Sequence, residues 1–99
     1  MKIVETSRYK SELKEIALYI KKDKKSASIK FVKEQKKLIE NLLNSPYKYR
    51  RSIYFDDENI RDMTFYGYTI IYKIDKENQT IIIYTIFNKN LPVISFFEE

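Results

Sequence analysis

Tyr9, Leu13, Ile16, Ala17 and Ile20 recur at three- and four-residue intervals while Lys10, Glu12, Lys14 and Glu15 fill the opposite side, so the pattern predicts an amphipathic helix ending near Lys22. Thr6 or Ser7 caps its start by accepting an unpaired backbone N–H. Lys2 to Glu5 is too short and too alternating for a helix and reads as a first strand. Asp23-Lys24-Lys25-Ser26 is a polar connection, with Ser26 placed to cap a second helix carrying Phe31, Val32, Gln35, Leu38, Ile39, Leu42 and Leu43. That stripe stops at Asn44-Ser45-Pro46, because proline has no N–H to continue the helix and disfavours helical geometry at the residue before it. Two such helices on a short loop predict an antiparallel hairpin.

After Pro46 the period changes from about 3.6 to 2, and β-branched and aromatic residues dominate. Strands are predicted at Arg51 to Phe55, Ile60 to Phe65, Tyr68 to Asp75 and Thr80 to Phe87, with turns at Asp56-Asp57-Glu58-Asn59, Tyr66-Gly67 and Lys76-Glu77-Asn78-Gln79. Gly67 is the single glycine of the chain, placed where a tight turn needs positive φ. The expected fold is therefore α+β: a short N-terminal strand, an antiparallel helical hairpin, then a four-stranded antiparallel meander, all in one domain over residues 1–99. Tyr68, Ile70, Tyr72 and Ile74 are expected on one face of the sheet, with Ile71, Ile81, Ile83 and Phe87 on the other. Both faces of the last two strands are thus apolar, and the hairpin covers only one. Either the tail from Leu91 to Phe97 or a partner protein is expected to cover part of the second.

Composition narrows the chemistry. The 99 residues contain no cysteine and no histidine, which excludes disulfides, thiolate nucleophiles, Ser-His-Asp sites and ordinary zinc sites. Acid or base work is left to Lys, Arg, Tyr, Asp and Glu. The net charge of +5 is unevenly divided: residues 1–51 carry 15 basic and 6 acidic side chains, and residues 52–99 carry 4 and 8. A basic half-chain points to an anionic partner or to a solvated helix face. No run reaches the length of a membrane span and no apolar leader opens the chain, so a soluble cytoplasmic protein is expected. No metal or other cofactor is expected, since Asp56 to Glu58 reads as a solvated turn.

The order of strand, helical hairpin with a Leu-Leu-x-x-Pro stop, Ile60-Arg61, Gly67-Tyr68-Thr69-Ile70-Ile71-Tyr72 and Ile83 to Lys89 resembles the RelE/ParE superfamily of bacterial type II toxins. The resemblance implies a growth-inhibiting toxin neutralised by a cognate antitoxin. RelE-like members cut messenger RNA at the ribosome, and ParE-like members poison DNA gyrase. Ribonuclease members carry an arginine directly after the Gly-Tyr pair and, beyond the last strand, an arginine and then a tyrosine. This chain has Thr69, Asn90 and Phe96 there, none of which stabilises a phosphorane or moves a proton as those residues do. The departures favour a ParE-like or divergent toxin, for which the resemblance implies gyrase as the target, with a RelE-like messenger RNA endoribonuclease acting at the ribosome without histidine, or a non-toxic binding module, as alternatives, and a homodimer as a further assembly.

Candidate residues follow from charge and setting. Arg61 shares its strand face with Met63 and Phe65 and is read as an anchor for target or antitoxin, or else as the partner of Asp62, Asp75 or another meander acid. Arg50 and Arg51 follow Pro46-Tyr47-Lys48-Tyr49 and make a basic, aromatic cluster suited to phosphates and bases. Arg50, Arg51, Arg61 and Lys89 are the candidate catalytic residues if the chain is an enzyme. Arg61, Tyr66, Tyr68, Lys89 and Phe96 are the candidate contacts to target or antitoxin, set against the plain alternative that strand tyrosines pack the sheet.

Overall fold

A computed structural model of the chain describes residues 1–88. Within these, β1 (Lys2–Glu5) leads into α1 (Ser7–Asp23) and α2 (Lys25–Glu40), and the second helix tightens into a 3₁₀ turn at Asn41–Leu43. β2 (Arg50–Arg51), β3 (Ile60–Phe65), β4 (Tyr68–Asp75) and β5 (Thr80–Asn88) follow. The sheet order is β1-β5-β4-β3-β2, with β1 parallel to β5 and every other pairing antiparallel. The expected meander is present, and the first strand extends it to five by returning along its far edge.

Local chemistry explains the boundaries. The Thr6 hydroxyl accepts the Tyr9 N–H at 3.0 Å, capping α1, and donates its own proton to the Tyr84 carbonyl at 2.7 Å. Ser26 does not cap α2. That helix starts one residue earlier, behind an extended Lys24 with no side-chain cap, so one residue separates the two helices. The Ser28 hydroxyl, three residues further on, donates to the Ala17 carbonyl at 2.6 Å and ties the hairpin together.

The expected strand from Arg51 to Phe55 is cut to Arg50–Arg51 because its later N–H groups go elsewhere. Ser52 still donates to the Ile60 carbonyl at 2.8 Å, but the Ile53 N–H goes to Asp62 Oδ2 at 3.1 Å and the Tyr54 N–H to Ser52 Oγ at 3.1 Å. The chain leaves the sheet there and passes over it.

The core lies between the hairpin and one sheet face. Tyr9, Phe31, Ile39 and Leu42 meet Met63, Ile70, Tyr72, Ile74, Ile81, Ile83 and Ile86, all buried. Ile81 and Ile83 are thus on the helix side, not on the face predicted for them. A register break lies between Ile71, which pairs with Thr85, and Tyr72, which pairs with Ile83. Tyr84 is the extra residue, and one insertion inverts the alternation of a strand. On the open face, Ile71, Thr69 and Thr85 are nonetheless buried. Part of the cover comes from the loop after β2, whose Tyr54 ring meets Phe87 edge-on at 5.6 Å. The tail expected to share this role lies outside the described residues, as do Lys89, Asn90 and Phe96. Among the described residues no helix is long and apolar enough to cross a membrane.

Candidate functional site

The open sheet face carries a groove of about 440 Å³. Its floor comes from Ile60 on β3, Ile71 and Lys73 on β4 and Thr85 on β5; Phe55 of the loop forms one wall, and Thr6, Arg8 and Tyr84 form the other. The bulge brings Tyr84 there, and Glu12 holds the bulge. One oxygen of that carboxylate accepts the Thr85 hydroxyl at 2.6 Å and the Ile86 N–H at 3.2 Å, while the other accepts Arg8 Nε at 3.3 Å.

Both threonine hydroxyls at the groove are therefore donating to protein acceptors, and Arg8 is joined to Glu12. Lys73 is half-buried and forms no ion pair among the described residues, though its charge, after the Asn78 hydrogen bonds, helps hold the Asp75 carboxyl below its usual pKa. The described lining contains no carboxylate. Cationic and apolar surface suits binding of an anionic group beside an apolar one.

A second cluster lies at the sheet edge beyond β2. The Arg61 guanidinium sits 4.9 Å and Lys76 Nζ 5.4 Å from the centre of the Tyr47 ring, and Lys48 Nζ is 5.6 Å from that of Tyr49. Arg61 Nη1 donates to the Tyr49 carbonyl at 3.1 Å and Nε to the Glu58 carbonyl at 2.9 Å. The ion pair considered for Arg61 is absent among the described residues, because backbone carbonyls take its donors. The same segment is anchored by the Tyr72 hydroxyl, which donates to the Pro46 carbonyl at 2.6 Å. Burial raises the pKa of that phenol, and Arg61 opposes part of the shift.

The family profile described as the ParE toxin of the type II toxin-antitoxin system, parDE, matches residues 3–90. The chain belongs to the ParE toxin family. Among solved structures, it is similar to the Escherichia coli toxin RelE, solved as a mutant in complex with a peptide of the antitoxin RelBc. The TM-score is 0.58 and the identity 16%, over 97% of this chain and 90% of that one. At that identity the likeness concerns the fold. No curated protein matches the sequence significantly.

The residues singled out in this ParE-family chain do not form one site. Arg50 reaches Asp62 Oδ2 at 3.5 Å, and Arg51 pairs with Asp56. Tyr66 and Tyr68 lie at the opposite end of β3 from Arg61. The exposed Tyr66 hydroxyl donates to Glu34, which raises its pKa, and Tyr68 packs edge-on against Phe31 at 5.6 Å. Lys89 and Phe96 lie outside the described residues. Arg8, Phe55 and Lys73 were not legible as neighbours, being separated by the hairpin and the meander. The available signal was Lys73 itself, the single cation of β4 and set among its isoleucines and tyrosines.

Proposed function

We propose that this toxin inhibits growth by binding a cellular protein, DNA gyrase, and that a cognate antitoxin holds it inactive. The reading rests on one observation above others. Thr69, where ribonuclease members of the resembled superfamily place an arginine, is buried at 2% exposure and carries no charge toward the open face. The groove beside it supports the same reading, since its described lining sets Arg8 and Lys73 beside apolar walls, a surface suited to binding. The competing reading, a ribosome-dependent messenger RNA endoribonuclease, is favoured by the stack of Arg61 and Lys76 on Tyr47, a surface able to hold a phosphate or a base.

Induction in a host lacking the antitoxin separates the two. Growth arrest relieved by co-expression of the adjoining antitoxin gene, with no new messenger RNA ends by primer extension, is the expected result. New cleavage ends at early times would replace the gyrase reading with the ribonuclease one, and unimpaired growth would remove both.

A further inference from the structure

Residues 7–40 hold 11 basic and 5 acidic side chains, a larger excess than the +5 of the whole chain, and the fold sorts the two signs. Glu12 is turned to β5, where it accepts from Thr85 and Ile86, and Glu34 accepts from Tyr66 at the turn between β3 and β4. Glu15 lines a hollow beside the sheet with Tyr19, Tyr68 and Phe87, while Asp23 and Glu40 are the last residues of α1 and α2. The lysines go the other way. Tyr9 joined to Gln35 and Ser28 joined to Ala17 fix which sides of the two helices meet. Helical spacing then sets Lys10, Lys14 and Lys21 of α1 and Lys25, Lys33 and Lys36 of α2 on the outer face of the hairpin, away from the sheet. All six are exposed, and none forms an ion pair among the described residues. Lys10 with Lys14 and Lys33 with Lys36 are like charges one turn apart, which weakens a helix and is relieved by a polyanion.

The chemistry of this face narrows the anion. Lysine ammonium groups are point charges that suit phosphate oxygens, and the exposed ring of α1, Tyr19, stands off the face beside Glu12 and Glu15, where it offers these lysines no platform for stacked bases. Leu18, Ile29 and Val32 add some apolar surface, but the broad apolar sides of both helices are used in the core, which leaves little to enter a lipid bilayer. Lys10 to Lys21 and Lys25 to Lys36 each span about 16 Å of helix, and packed helices lie about 8–10 Å apart. Duplex DNA carries one phosphate for about every 1.7 Å of its axis, dense enough to meet both rows at once. We propose that the outer face of the helical hairpin binds the phosphate backbone of duplex DNA, independently of sequence, through these six lysines. This rests on the reading of the chain as a gyrase inhibitor, which sets DNA above other polyanions because gyrase works on duplex DNA.

Fluorescence anisotropy of a labelled duplex of arbitrary sequence, titrated with the full-length toxin between about 50 and 200 mM salt, tests this with no gyrase present. The logarithm of the binding constant should fall linearly with that of the salt concentration, with a slope of about −5 for six phosphate contacts. Lys14→Gln combined with Lys36→Gln, checked for native circular dichroism, should make the slope shallower by about 1.8 and weaken binding about tenfold. Lys2→Gln combined with Lys30→Gln removes the same charge away from this face and should leave the slope unchanged. Equal losses in the two double variants, or no binding at about 50 mM salt, would overturn the inference. Tighter binding to an RNA of the same sequence, or to vesicles containing phosphatidylglycerol, than to the DNA duplex would overturn it too. A toxin that blocks supercoiling yet does not bind the duplex removes the DNA-binding face and keeps the gyrase reading. One that binds through these lysines yet leaves supercoiling unchanged keeps the face and removes that reading.

Discussion

Glu12, in the second turn of α1, accepts the hydroxyl of Thr85 at 2.6 Å across 73 residues of sequence. The same oxygen accepts the Ile86 N–H just past the register break, a group that the irregular ladder leaves in need of a partner. The helix thereby fixes the bulge that turns Tyr84 toward the groove. Replacing Glu12 with Ala should cost about 1–3 kcal/mol, because two part-buried donors lose their acceptor at once. Chemical denaturation measures that loss, and amide exchange at Ile86 should rise with it.

Tyr9 is the deepest polar residue of α1, and its hydroxyl donates to Gln35 Oε1 at 2.6 Å. Tyr9→Phe leaves that buried oxygen unsatisfied and should destabilise by about 1–3 kcal/mol. Tyr9→Phe combined with Gln35→Leu should cost less than the sum of the two single changes, since neither partner is then stranded. A double-mutant cycle in urea checks this.

Burial raises the pKa of both Tyr9 and Tyr72 above the ordinary phenol value of 10.0, with nearby Glu5 adding to the shift at Tyr9. The folded state therefore keeps protons that the unfolded chain releases. The resulting stability is present below pH 10 and falls as pH rises through the folded values, by up to about 1.4 kcal/mol per pH unit for each phenol. Tyr72→Phe should flatten the alkaline limb of the stability curve, as should Tyr9→Phe, although each lowers stability at neutral pH.

Gly67 has φ of 82° after Tyr66 at 49°, the left-handed pair of a tight hairpin turn. A Cβ at Gly67 would meet nothing within 4 Å, so the cost of Gly67→Ala is conformational rather than steric crowding. It should be about 1–2 kcal/mol, read as a lowered melting temperature with an unchanged fold.

The helices and the three long strands were legible because Thr6, Pro46 and Gly67 act locally, through one hydrogen bond, one missing N–H and one backbone conformation. What the sequence concealed depends on distant partners. Asp62 captures the Ile53 N–H and ends β2 early, and Tyr84 is inserted opposite the Ile71/Tyr72 step, reversing the faces expected for Ile81 and Ile83. The groove was hidden for the same reason, since its walls come from the start of α1, the loop after β2 and three strands. Charge beside Tyr47 and Tyr49 drew attention to Arg50 and Arg51, which the structure pairs with Asp62 and Asp56.

Asp62 also makes a local prediction. Its Oδ2 accepts from Ile53 and Arg50, while among the described residues its buried Oδ1 has no hydrogen-bond partner. Asp62→Ala should free the loop that carries Tyr54 and Phe55, seen as faster amide exchange at Ile53 with the helical hairpin unaffected.

DNA supercoiling by purified gyrase, measured with the full-length toxin at micromolar concentration on relaxed plasmid, tests the central claim most directly. Loss of supercoiled product, restored by adding antitoxin, is the predicted result. Supercoiling that proceeds unchanged at that concentration would contradict it.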